Sequence, residues 1–195
     1  MPYYVEVNNK KYKINTDFRV AIKCNQIAMD ETIGNLERTY AIIYLLFGDK
    51  GLTDAQKNNN MLENLINIAI KYLNCGKDIE SNNCKIDMDF VEDMDYIEAS
   101  FMSDYRIDLA NEKMHWWKFY KLINGLSNSE LGNCCVLNRI RNLRNFDTSK
   151  IIDIDERAKT NKAKQQVALH KQEHEVHLTK EQQESVDEFY KALGY

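Results

Sequence analysis

Proline is almost missing from this chain of 195 residues: Pro2 is the single one, and there are seven glycines. So few breakers exclude a proline-rich spacer or a glycine-rich low-complexity protein and favour long helices. No Cys-x-x-Cys pair occurs. Cys24, Cys75, Cys84, Cys134 and Cys135 are odd in number and irregular in spacing, which is no disulfide framework and no structural zinc motif. Reduced thiols acting as small core hydrophobes are the expected state. No apolar run is long enough to span a bilayer; the longest candidate, Ala41-Ile-Ile-Tyr-Leu-Leu-Phe47, is far too short. No charged stretch followed by a signal-like apolar segment opens the chain, so a cytoplasmic protein is expected. Basic charge is not in excess either. With 26 Lys and Arg against 30 Asp and Glu the net charge is −4, which argues against a dedicated nucleic-acid binder.

What is present is ordinary for a soluble globular protein: 44% hydrophobic and 29% charged residues. Tyr3-Tyr-Val-Glu-Val and Lys11-Tyr-Lys-Ile flank Asn8-Asn9-Lys10, the pattern of a short β-hairpin that must pack on helices to persist. Thr16 or Asp17 can cap a first helix carrying Phe18, Ala21, Ile22 and Ile27. Asn35 opens a second, with Leu36, Tyr40, Ile43 and Phe47 on one face and Gly48 at its end. Thr53-x-x-Gln56 fits a capping box, and the firm third helix runs from Met61 to Gly76. Ser81 to Lys85 reads as a loop. Phe90, Met94, Ile97, Phe101 and Tyr105 form one helical stripe with an acidic opposite face. Ser127-x-x-Glu130 supplies a cap for Leu131, Cys135, Ile140 and Leu143. After Phe146-Asp-Thr-Ser the composition turns charged and poor in large apolar residues, so a boundary is expected near Lys150. The expected fold is mainly α. A compact helical domain with a short hairpin spans residues 1–150, and a charged helical extension spans 151–195.

Met114-His-Trp-Trp-Lys-Phe-Tyr120 carries both tryptophans side by side. On a helix, Met114, Trp117 and Ile123 with Trp116 and Tyr120 line a broad apolar face, so Trp117 is expected in the core. Trp and Tyr are also enriched at interface hot spots, which makes Trp116, Trp117 and Tyr120 candidates for partner binding. Val186, Phe189, Tyr190 and Leu193 recur at helical spacing and are a second partner-binding candidate.

Chemistry is harder to find. Asp87-x-Asp89 with Asp93-x-Asp95 lacks the glycine at the sixth position of a calcium loop, where Glu92 stands, so a solvated acidic face is the expected reading. His170, His174 and His177 share one helix face and form a weak candidate for a transition metal. His174-Glu-Val-His177 is one residue short of the zinc-protease motif. Arg139, Arg141 and Arg144 make a basic cluster that either contacts phosphates or pairs with the acidic stretch at Asp87–Asp95. No phosphate-binding glycine loop or nucleophile elbow occurs, and the chain is expected to be no enzyme and to need no cofactor.

Several segments together carry a resemblance: Tyr72-Leu-Asn-Cys-Gly-Lys77, the run Asp87 to Phe101, Asp104-Tyr-Arg-Ile-Asp-Leu109, the His-Trp-Trp-Lys-Phe cluster, and Leu122-Ile-Asn-Gly-Leu126. Their order resembles the bacteriophage family named for gene product fifteen, most strongly from Tyr72 to Leu169 and less over Ile14 to Gly48. Nothing after Leu169 has a counterpart. Arg106 departs from the pattern, standing where a glycine is expected between the tyrosine and Ile-Asp-Leu. The resemblance implies a protein of the phage or prophage tail cluster, encoded between the tube protein and the tape-measure protein, where siphophages keep tail assembly chaperones. It implies a non-catalytic role in covering apolar stretches of the tape-measure protein, with the tube protein as a further partner, in the host cytoplasm; from the residues alone, self-association through apolar surface is also expected and membrane contact is not. The alternatives are a structural component retained in the virion, or a nucleic-acid or regulatory protein using the arginine cluster.

Overall fold

The computed structural model describes residues 1–77, 86–128 and 134–170. Helix dominates, and among these residues the strands are confined to one antiparallel hairpin of β1 (Tyr4–Val7) and β2 (Lys10–Lys13), with one isolated bridge between Asp17 and His115. Asn8 and Asn9 make the turn with φ of 49° and 62°. Both positive values are what a two-residue hairpin turn needs to match strand twist, and asparagine tolerates them better than most residues. The pairing sets Val5 opposite Tyr12 and Val7 opposite Lys10. Val7, Tyr12 and Ile14 are buried, while Tyr4, Lys11 and Lys13 face out. Tyr12 donates to Asp54 at 2.6 Å. Burial, and then the Asp54 carboxylate, push the Tyr12 phenol up to about 12.

Seven α-helices follow among the described residues. In α1 (Phe18–Met29) the Asp17 side chain caps the first turn by accepting from Arg19 N–H. α2 (Asn35–Lys57) does not stop at Gly48. Gly48 breaks the helical geometry at φ 67°, and the chain then resumes as helix through Thr53 and Gln56. The expected capping box therefore lies inside a helix; the cap of α3 (Asn59–Leu73) is Asn58, which accepts from Asn60 N–H. Ile42, Ile43, Leu46 and Phe47 are the buried residues before the kink, and Leu36 stays exposed.

α4 (Met94–Tyr105) buries Ile97, Ser100 and Phe101. It ends on Arg106 in the left-handed region (φ 58°, ψ 31°), with Ile107 N–H donating back to Phe101 O and Arg106 N–H to Met102 O. That is a helix stop normally taken by glycine, because a Cβ there crowds the following carbonyl. The family's expected glycine and the observed turn thus agree, and arginine is strained in it. Arg106→Gly is expected to raise the unfolding free energy by about 1 kcal/mol, read from chemical denaturation.

α5 (Trp116–Asn124) ends at Gly125. α6 (Val136–Asn145) opens later than the Ser127 cap predicted, and Glu130 and Leu131 lie outside the described residues. Ser81 to Lys85 lie outside them too. The chain divides into two compact units, the first Met1–Asn145 and the second from Phe146 onward. The core of the first unit draws on every element from β1 to α6. The second begins with a short 3-10 turn, Thr148–Lys150, followed by α7 (Ile154–Gln166). Asp153 caps α7 by accepting from Glu156 N–H, and no residue of α7 is buried. The helix of the charged extension, expected from residue 151 onward, therefore opens at Ile154 and is described only to Gln166. The stripe Val186, Phe189, Tyr190 and Leu193 lies outside the described residues, as do His174 and His177.

Candidate interaction surface

The aromatic stretch is built around His115. Its Nδ1 accepts from Trp117 N–H at 3.0 Å and so caps α5. With Nδ1 an acceptor, the ring proton sits on Nε2, which donates to the Pro2 carbonyl at 3.1 Å. Phe18 N–H to Met114 O and Trp116 N–H to Thr16 O fasten the same turn to the start of α1. One imidazole thus ties the entry of β1 to the start of α5, and both its nitrogens are consumed in doing so.

The two indoles then act as a pair. Trp116 Nε1 donates to Leu73 O at 2.8 Å, and Trp117 Nε1 donates to Tyr72 O at 2.9 Å. These are carbonyls of the last turn of α3, which have no partner within the helix. Two adjacent tryptophans therefore cap one helix end from the side, while Asn74, Cys75 and Gly76 N–H donate back to Ile70, Tyr72 and Lys71 O as the chain turns away. It does so through Cys75 and Gly76, at φ 57° and 80°. Gly76 passes so close to Trp117 that a Cβ there would lie 3.2 Å from the indole ring.

Their burial differs from the sequence expectation. Trp116 is 1% exposed and packs on Phe119, Phe90 and Tyr120. Phe119 lies stacked between Phe18, at 4.5 Å, and Phe101, at 5.3 Å. Trp117, which was expected in the core, is half-buried, and so is Tyr120. The cause is the helix start. Met114 is not on α5 but precedes its cap, so the inward face begins at Trp116 and continues through Phe119 and Ile123. Trp117 falls on the flank, stacked on Tyr72 with ring centroids 6.1 Å apart.

On that flank lies an apolar cavity of about 280 Å³, lined by Pro2, Val5, Glu6, Ile68, Lys71, Tyr72, Gly76 and Trp117. Tyr72 is buried and its hydroxyl has no hydrogen-bond partner among the described residues. Burial, and then Cys75, Cys24 and Tyr3, hold its phenol far above the usual range. Burial also pushes the Cys24 thiol up to about 12 and the Cys75 thiol to about 11, so both are inert thiols rather than nucleophiles. A larger cleft of about 910 Å³ runs along Tyr3, Asn15, Asp17, Tyr44, Gly48 and His115. Its Asp17 and His115 are both spent on helix caps.

The acidic stretch and the arginines find each other. Arg144 grips Asp93 with both terminal guanidinium nitrogens at 2.7 Å, and Arg144 Nη1 also donates to Asp87 O. Arg141 pairs with Asp87 at 3.1 Å. The reading of a solvated acidic face is therefore corrected at Asp93, which is fully buried. Arg141 and Arg144 are committed inside the fold, while Arg139 lines a surface recess with Asp104, Ser127 and Cys134. Of the three candidate metal-binding histidines only His170 is described, and it is exposed. Among the described residues no group of three His, Cys, Asp or Glu side chains could hold a metal ion.

Residues 1–169 match the family model described as Bacteriophage Gp15 protein. No curated protein and no solved structure matches the chain.

Proposed function

The chain belongs to the bacteriophage Gp15 family, and from that membership we propose that it is a non-catalytic tail assembly chaperone covering apolar segments of the tape-measure protein. One observation from the fold supports the reading: the flank of the aromatic cluster, Trp117 with Tyr72, Ile68 and Val5, is left as an apolar recess instead of being closed by the core. Half-buried tryptophan beside an apolar recess is the usual anchor of a protein interface, since it offers large contact area at little entropic cost. Exposed Tyr3, Tyr4 and Tyr44 extend the aromatic surface of the same unit. The client binds in the host cytoplasm and leaves before the particle is complete. No helix among the described residues is long and apolar enough to cross a membrane.

Co-expression with the tape-measure protein tests this. The client is expected to move from the insoluble to the soluble fraction and to co-purify with the chain, and mass spectrometry of finished particles is expected to find none of it. A client equally insoluble with and without the chain rejects the chaperone role, and its presence in particles selects the structural alternative. The nucleic-acid alternative is the weaker, because Arg141 and Arg144 already hold internal carboxylates. Removing those partners to reach phosphate would leave Asp93 buried and unpaired.

A further inference from the structure

The hairpin has one covered edge and one open edge. Ile14 N–H donates to Tyr3 O at 2.9 Å, which fixes the phase of the ladder. Residues 3, 5 and 7 exchange hydrogen bonds with β2, and Tyr4 and Glu6 therefore aim their N–H and C=O groups away from it. On the β2 side two outward groups are attended to. Lys50 Nζ donates to Lys11 O at 2.8 Å, and Asn15 N–H, just past the strand, donates to Leu46 O. Along β2 stand Lys10, Lys11 and Lys13, the charges that commonly blunt a strand edge. On the β1 side His115 Nε2 meets the Pro2 carbonyl just before the strand, and among the described residues no hydrogen bond reaches the outward backbone groups of Tyr4 and Glu6. The β1 sequence Tyr-Val-Glu-Val is strongly strand-forming with a single charge, and among the described residues no strand pairs with its outer side.

Alongside that open edge lies the 280 Å³ apolar cavity, its walls supplied by Val5 of β1, Ile68 and Tyr72 of α3, and Trp117. Val5 shares its face of the hairpin with Tyr12 and Val7, the face turned to the helices. A chain laid against β1 would put alternate side chains on that same face, beside Val5, where the cavity is. Glu6 and Lys71 flank the opening. His115 holds the Pro2 carbonyl and the double indole cap holds the end of α3, so both walls are fixed before any guest arrives.

We propose that the outer edge of β1 and this cavity are one docking site, and that its occupant is an extended peptide segment of a partner protein. The segment adds as a third strand, its backbone satisfies Tyr4 and Glu6, and one of its apolar side chains fills the cavity. A helical guest has its own backbone groups paired and would leave those of Tyr4 and Glu6 unanswered, which is why the extended guest fits better. The recess is the one that the tape-measure reading also uses, but the inference concerns the shape of the guest and not its identity, so the peptide test can fail while the co-expression test holds, and the reverse.

The test selects a displayed library of random heptapeptides against the full chain and measures the best synthetic peptide by fluorescence anisotropy. Enriched peptides are expected to carry apolar residues at every second position. Methylating the backbone nitrogens that face β1 is expected to weaken binding at least tenfold. Glu6→Pro is expected to do the same while keeping the hairpin, because the lost N–H points away from β2. Amide exchange gives a readout that needs no variant: the Tyr4 and Glu6 amides should exchange fast in the free protein and slow on peptide addition. No enrichment over the Glu6→Pro chain overturns the proposal. So does enrichment of peptides with helical spacing, or binding that leaves the Tyr4 and Glu6 amides fast. Slow exchange of those amides in the free protein, rising with its concentration, would instead assign the edge to a second copy of this chain and equally overturn it.

Discussion

Trp116→Ala is expected to lower the unfolding free energy by about 3–5 kcal/mol, the range of large aromatic truncations in well-packed cores. The ring is almost wholly excluded from solvent and touches Phe90, Phe119 and Tyr120, so its removal leaves a cavity among aromatics that cannot easily collapse. The loss goes beyond volume. Without the indole N–H, Leu73 O at the end of α3 loses the one donor it has among the described residues, and a lost hydrogen bond at a part-buried acceptor adds about 1 kcal/mol. Trp117→Ala is the informative comparison. Its ring is half-buried and its contacts are with Tyr72, His115 and the cavity, so a cost of about 1–2 kcal/mol is expected, near the centre of ordinary substitutions. Urea unfolding followed by far-UV circular dichroism measures both. Equal losses would mean that the inward face of α5 has been assigned to the wrong residues.

Breaking the buried ion pair is expected to be as damaging. Asp93→Ala should cost about 3–5 kcal/mol, because it strands a guanidinium in a site closed to water. Asp93 is 0% and Arg144 9% exposed at the side chain. Both carboxylate oxygens of Asp93 are in use, and one also accepts from Asp89 N–H at 3.0 Å. Most of the cost disappears if both partners go. Asp93→Leu combined with Arg144→Met is expected to recover most of the loss, since a buried pair replaced by apolar groups is often neutral or better. A double-mutant cycle on the four proteins reads the coupling directly. Additive losses in that cycle would show that the two side chains contribute separately and that the pair is not the unit of stability.

The helical architecture was legible in the sequence because its signals are local. A single proline, the Asn8-Asn9 turn, Asp17 before Phe18 and Gly125 after Asn124 all act within a few residues of where they stand. The helix starts that went astray depend on competing caps. Thr53-x-x-Gln56 looks like a start only when the continuation through Gly48 is not visible, and Asn58 two residues before Asn60 is the cap that the fold uses. Trp117 was expected inside for the same reason. Placing Met114 on the helix rotates the apolar face by one residue, and only the capping role of His115 sets the phase correctly. His115 beside two tryptophans is a legible signal once its short reach to a backbone N–H is considered. The edge of β1 and its cavity were not legible at all. They arise from Pro2, Val5, Ile68, Tyr72 and Trp117 meeting across more than a hundred residues, a coincidence that no local pattern encodes. The acidic and basic stretches were legible as possible partners, but that Asp93 is buried while Arg139 lines the surface recess is decided only by packing.

The Asp93–Arg144 clasp also sets a clock. Its two halves are 51 residues apart in the chain, and a ribosome adding about 5–20 residues per second needs some 3–10 s to deliver the second after the first. The contact between Pro2 and His115 spans 113 residues and waits longer still. During synthesis the nascent first unit therefore carries an unpaired carboxylate where its interior will be and a hairpin with no anchor. Completion comes in a late step, when the segment bearing Arg144 clears the exit tunnel. A ribosome stalled between those two codons would hold a chain with formed helices and no closed core, and this is the stage at which a host protease would have its best access.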